Sequence, residues 1–210
     1  MDVLEAIRTT RSMRRLDPAR DVSDEDLVTI IDAATRAPTG GNSQPVRWLV
    51  VRDPELKRRV GEVYRSQART RLVAYEQDAK TDPEVARMLR SARHLAEHMG
   101  EAPALLIPCA RAERGRAASS VFPAVQNLML AARALGLGTT LTTIHLGDEG
   151  TVREILSIPE DVQTFAIIPV GYPLGRWGEA RRRPVSEVTY WDGWRQTRPP
   201  GSSAMGLSAG

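Results

Sequence analysis

The stretch from Phe122 to Leu135 is apolar on nearly every side. A helix without a polar face has to sit inside other elements, so this one is expected at the centre of the fold. Gly136-Leu137-Gly138 stops it. The rest of the chain supplies elements suited to enclosing it. A short amphipathic helix carries Val3, Leu4 and Ile7. Ser23 reads as the N-cap of a second helix, with Asp26 at the capping-box position and Leu27, Ile30, Ile31 and Ala34 on its core face. That helix runs to Ala37, because Pro38 disfavours helical geometry in the residue before it. Trp48-Leu49-Val50-Val51 reads as a buried strand. Asp53-Pro54 and Asp82-Pro83 each place a capping carboxylate before a first-turn proline, and so open two longer helices that pair as a hairpin. The first carries Leu56, Val60, Val63, Tyr64, Ala68 and Leu72 on one face; the second carries Val85, Met88, Leu89, Ala92, Leu95 and Met99 and ends at Gly100.

Ala104 to Cys109 is a second strand, and the polar stretch Arg111 to Ser120 is expected to be a flexible loop. Thr139 to Ile144 reads as a strand, Glu149 to Leu156 as a short helix, and Thr164 to Val170 as the strongest strand. The aromatic run Tyr190 to Trp194 is expected to pack on this chain or on a partner. About four strands and six or seven helices make an α+β domain with a helix-rich shell, a single domain over residues 1–196. Residues 197–210 are small and polar and are expected to be disordered.

Composition narrows the function classes. No apolar run approaches the ~20 residues that span a bilayer, and the N-terminus opens into a charged helical pattern without a signal-peptide core. The single cysteine, Cys109, excludes an intrachain disulfide. Together these point to a soluble, cytoplasmic protein. A net charge of +3 is weak support for a nucleic-acid partner, and there is no helix-turn-helix, zinc or RNP pattern. His94 and His98 lie four apart on a helix without a third ligand, so no metal site is expected. Gly136-Leu137-Gly138 follows a helix and precedes a strand, the reverse of the dinucleotide fingerprint. Cys109 has no adjacent base and reads as a core residue, and no Gly-x-Ser-x-Gly elbow is present. An enzyme of this composition would draw its chemistry from a bound organic cofactor.

Two polar stretches remain. Ala37-Pro38-Thr39-Gly40-Gly41-Asn42-Ser43-Gln44-Pro45 is either an ordinary helix-to-strand turn or a loop that brings backbone amides to a flat polar ligand. Arg11, Ser12 and Arg14, with Arg181 and Arg183 far along the chain, are either solvated basic loops or the donors for a phosphate monoester.

Taken in order, these pieces resemble the nitroreductase family of FMN-dependent NAD(P)H oxidoreductases. Glu5-Ala6-Ile7 with Arg11-Ser12-Met13-Arg14-Arg15 resembles the family's phosphate motif, and Ala37 to Pro45 its flavin-ring loop. Ala124-Val125-Gln126-Asn127-Leu128 through Thr139 is similar to its central helix and turn. Pro169-Val170-Gly171-Tyr172-Pro173 with Arg181-Arg182-Arg183-Pro184 is similar to its C-terminal signature. The resemblance spans roughly residues 1 to 190 and implies a mixed central sheet wrapped by helices, in an intertwined homodimer with two FMN molecules at the interface. Arg11, Ser12 and Arg183 would hold the phosphate, with Arg181 as a weaker fourth, and Arg14 would approach the pyrimidine side. Pro38, Thr39, Gly40, Asn42 and Gln44 would come from the opposite subunit. Leu141, Thr142 and Thr143 would pass the flavin N5 edge. Arg69 and Arg71 are candidates for mid-chain flavin contacts. The chain departs from the family at Thr10, where many members carry a basic residue. The implied activity is ping-pong electron transfer from NADH or NADPH to a nitroaromatic, quinone or related acceptor. Dehalogenation, flavin destruction, natural-product dehydrogenation and flavin binding without turnover are the alternatives on the same scaffold.

Overall fold

Local capping decides where the helices begin. Helix α1 (Val3–Thr9) starts at Asp2, whose carboxylate accepts from the Glu5 amide at 2.9 Å. Ser23 caps α2 (Asp24–Thr35) through the Asp26 amide at 3.0 Å. Asp53 and Asp82 cap α3 (Pro54–Leu72) and α4 (Pro83–His98), each followed by a proline where no amide partner is lost. The computed structural model describes residues 1–111 and 114–197. The chain divides into two compact units, residues 1–179 and the segment from Ala180 onward. In the second unit, α7 (Val185–Val188) precedes an edge-to-face pair of Tyr190 and Trp194 rings, with centroids 4.8 Å apart.

The first unit is built on a five-stranded sheet. Its strands are β1 (Arg47–Val51), β2 (Ala104–Ala110), β3 (Gly138–Thr139), β4 (Gln163–Thr164) and β5 (Ile168–Gly171), in the order β1-β2-β5-β3 with β4 also on β2. All these ladders are antiparallel, and Ser12 adds a parallel bridge to Thr139. Strand β2 is buried at every position and its side chains alternate between two cores. Ala104, Leu106 and Ala110 face a core built with α2 and α5 (Arg114–Ala134). Leu105, Ile107 and Cys109 face a second core built with α3, α4 and α6 (Glu149–Ile155). The architecture is α+β, a central sheet surrounded by helices. Among the described residues no helix is long and apolar enough to cross a membrane.

Four expectations are corrected. The stretch read as a loop from Arg111 to Ser120 is helical from Arg114, because Ala117 and Val121 extend the buried stripe of Ala124, Val125, Leu128 and Ala132 upstream. Helix α5 even contains Pro123, which removes one helical hydrogen bond. It is central but not enclosed: Phe122 and Leu135 are 38% and 40% exposed in the single chain. The expected strand from Thr139 to Ile144 is cut to Gly138–Thr139, with an isolated bridge between Thr142 and Ile167 and a 3-10 turn from Ile144 to Asp148. Likewise, Thr164 to Val170 is not one strand but parts of β4 and β5. On β2 the gap between these two ladders falls at Ile107 and Pro108, and Pro108 lacks an amide hydrogen to donate. The tail read as disordered lies, from residue 198, outside the described residues.

Candidate functional site

The segment Arg11 to Arg14 is held by the residues that follow the central helix. The Met13 amide donates to the Thr139 carbonyl at 2.9 Å, and the Thr140 hydroxyl donates to the Met13 carbonyl at 2.8 Å. Met13 is buried, so the extended chain turns its neighbours Ser12 and Arg14 to the other side. Gly138 permits this approach, since a Cβ there would lie 2.8 Å from the Met13 Cβ. Arg14 is half-buried and lines a cavity of about 220 Å³ together with Tyr64, Arg71, Thr140, Leu141 and Thr142. Burial lowers the pKa of Arg14 from its ordinary value, and among the described residues no carboxylate lies within 4.0 Å of it. No acidic residue lines the cavity. The Tyr64 hydroxyl bonds the Thr142 hydroxyl at 3.0 Å, and burial raises the tyrosine pKa.

The loop from Pro38 to Pro45 is built differently. Gly40–Asn42 forms one 3-10 turn, and Gly41, Asn42 and Gln44 all have positive φ, at 57°, 53° and 46°. For Asn42 and Gln44 that region is strained. The turn is held by the Gln44 amide donating to the Thr39 hydroxyl at 3.0 Å, and by Gln44 Nε2 donating to Asn42 Oδ1 at 3.3 Å. The Gly40 amide donates to the Ser120 hydroxyl at 3.3 Å. Thr39 and Gln44 line a cavity of about 160 Å³ beside Trp48, and Gly40 lines another of about 550 Å³ beside Arg116 and Ser119. Neither shares a residue with the cavities that Arg14 lines.

Of the residues singled out in the sequence, the structure therefore brings Arg14, Leu141 and Thr142 to one cavity, with Ser12 and Arg11 exposed on the same segment. Thr143 precedes the 3-10 turn and does not line it. Thr39, Gly40, Asn42 and Gln44 gather in the separate loop beside Pro38. Arg181 and Arg183 are exposed in irregular chain of the second unit, where Arg182 Nη1 donates to the Arg181 carbonyl at 3.0 Å. Arg71 joins the Arg14 cavity, whereas Arg69 faces Glu97 at 4.0 Å. Tyr64 and Thr140 escaped sequence reasoning. The available signal for Tyr64 was a tyrosine on a buried helical stripe, whose hydroxyl needs a partner.

The other reactive side chains have structural surroundings. Burial pushes the Cys109 thiol up to about 12, so it stays protonated. The His94 and His98 rings lie with centroids 4.3 Å apart and planes tilted by 36°, and His98 Nδ1 meets Glu101 Oε2 at 2.9 Å. His145 is fully buried, with Nε2 3.0 Å from the Thr164 hydroxyl. That hydroxyl donates to Glu149 Oε1 at 2.8 Å, and its oxygen can accept from Nε2.

The sequence model of the nitroreductase family matches residues 7–172. A Thermus thermophilus protein named NADH dehydrogenase is 30% identical over 202 residues, 91% of this chain and 96% of that protein. An iodotyrosine deiodinase from Thermotoga neapolitana is 30% identical over 174 residues, 82% of this chain and 87% of the relative. The fold is similar to the crystal structure of an oxidized iodotyrosine deiodinase bound to FMN and 3-iodo-L-tyrosine, with a TM-score of 0.69 and 27% identity over 87% of this chain and 96% of that one.

Proposed function

The chain belongs to the nitroreductase family, and from that premise we propose that it is a cytoplasmic FMN-dependent oxidoreductase passing electrons from NADH or NADPH to a nitroaromatic, quinone or related acceptor. The observation that carries this reading is Arg14, a half-buried guanidinium with no carboxylate within 4.0 Å among the described residues, in a cavity free of acids. Desolvation of a cation is costly unless an anion or strong acceptor offsets it. A flavin's pyrimidine edge, rich in acceptor atoms, fits that demand.

When bound, FMN would supply the redox chemistry, taking a hydride from the nicotinamide donor and yielding electrons to the acceptor. The protein's part is binding and electrostatics. Arg14 would favour negative charge gathering on the ring edge it faces. Tyr64 holds the Thr142 hydroxyl through their 3.0 Å bond, and Leu141, Thr142 and Thr143 would pass the N5 edge of the same ligand. Arg11 and Ser12 would hold the phosphate with Arg183, and Arg181 more weakly. Pro38, Thr39, Gly40, Asn42 and Gln44 would serve the flavin whose phosphate lies on the other chain of a homodimer. The separation of the two cavity groups within one chain supports that arrangement. The second unit would belong to the same domain, over residues 1–196. Donor and acceptor would use one pocket in turn, in a ping-pong sequence.

The test is the absorbance spectrum of the purified protein, followed anaerobically on adding NADH or NADPH and then an acceptor. Flavin bands that bleach with a donor and return with a quinone or nitroaromatic are expected. Bands that bleach with neither donor contradict the oxidoreductase reading. A second reading, reductive dehalogenation, is favoured by the 30% identity to an iodotyrosine deiodinase. Iodide release from 3-iodotyrosine under chemically reduced conditions, with no turnover of quinones, would select it.

A further inference from the structure

We propose that Arg71 selects the charge of the electron acceptor, and that the acceptor is a small aromatic compound bearing a carboxylate or another single negative charge; this rests on the oxidoreductase reading of the Arg14 cavity. Two guanidinium-bearing residues, Arg14 and Arg71, line that cavity, and no acidic residue does. The proposed function gives Arg14 to the flavin, and we assign Arg71, which the sequence offered as a candidate for a mid-chain flavin contact, to the acceptor instead. Arg71 stands in the last turn of α3, and among the described residues no carboxylate lies within 4.0 Å of it. Its neighbours on the same helix are engaged elsewhere: Arg65 and Arg69 both face Glu97, at 3.8 Å and 4.0 Å. Apart from Thr140 and Thr142, the remaining wall is apolar and aromatic and includes Tyr75, with Met88 and Leu95 from α4. Tyr75 and Met88 offer ring-stacking and sulfur–aromatic contact to a flat ring. Arg71 is exposed at this cavity. A carboxylate on that ring would gain a charge-assisted bond there, whereas a neutral ring substituent gains none and a cationic one is repelled.

The experiment compares the purified protein with Arg71→Gln and Arg71→Lys. The kcat/KM for 4-nitrobenzoate is divided by that for 4-nitrobenzyl alcohol, so comparing this ratio between variants cancels the intrinsic reactivity of the two compounds. The ratio should fall roughly fivefold to tenfold in Arg71→Gln and recover largely in Arg71→Lys, a change of the size expected for losing one charge-assisted contact. Added salt should shrink the preference in the unsubstituted protein and in Arg71→Lys, and leave the ratio of Arg71→Gln unchanged. The dissociation constant of benzoate, measured by calorimetry on the protein as purified, should weaken by a similar factor in Arg71→Gln. An unchanged ratio and unchanged benzoate affinity overturn the proposal. A loss of FMN content with the ratio unchanged also overturns it and moves Arg71 to the flavin. If neither nitro compound is reduced, the oxidoreductase reading fails, and the benzoate measurement alone decides for or against an anion site at Arg71.

Discussion

The two halves of the candidate site are held by opposite means. Arg11 to Arg14 is stitched to the core by the Met13–Thr139 and Thr140–Met13 bonds, with Met13 buried against a glycine that admits no side chain. The loop from Pro38 to Pro45 is exposed at Gly40 to Gln44, carries strained backbone at Asn42 and Gln44, and bonds mainly to itself. The first half is a by-product of folding: its geometry is fixed once the sheet and α5 form. The second presents polar groups outward on strained backbone, with bonds among the described residues that run mostly within the loop and to its neighbour Arg47. Strain of this kind persists where a bound partner or ligand exploits the geometry.

The contrast can be broken or sharpened by substitution. The largest effect is expected from Gly138→Ala. Its Cβ would meet Met13 Cβ at 2.8 Å and both Leu16 Cδ2 and Pro173 Cβ at 3.1 Å, so overpacking should destabilise the protein by about 1–3 kcal/mol in urea denaturation. Little or no loss would show that the segment is less tightly held than its bonds imply. A smaller effect, about 1 kcal/mol, is expected from Tyr64→Phe, which removes the bond to Thr142 at a buried position. In the same variant, weaker flavin retention on dialysis would tie that bond to the site. The smallest belongs to the loop. Gln44→Gly relieves a positive φ but frees the unfolded chain, so stability should stay within about 0.5 kcal/mol while flavin retention falls. A large destabilisation there would mean that the loop, too, is held by the core.

How much of this could be read in the sequence follows from how local each interaction is. The caps Ser23, Asp53 and Asp82 act within three residues, and each was legible. Strand β2 was legible because an apolar run between polar breaks has few other uses. The start of α5 was hidden because its exposed face is polar while its buried face is spread over Ala117, Val121 and Ala124. Thr140 and Thr142 suggested a strand by composition. Their hydroxyls instead bond Met13, 127 positions away, and Tyr64, 78 positions away, contacts that no local pattern encodes. The family resemblance identified Arg14, Leu141 and Thr142, and the structure places them at one cavity. It could not supply Tyr64, nor the strain at Asn42 and Gln44, which arises only from the path of the folded backbone.

The central claim, that one flavin is held by the Arg11–Arg14 segment of one chain and the Pro38–Pro45 loop of another, is tested most directly by complementation. Arg11→Ala combined with Arg14→Ala damages the first half. Gly40→Leu obstructs the second, and within a single chain its Cβ meets nothing within 4 Å, so the fold should be unaffected. Each variant alone should bind little FMN. In a mixed dimer one site carries both lesions and the other carries none, so co-expression in equal amounts should restore roughly a quarter of the sites. Flavin content no higher than the average of the two parents would contradict the shared site.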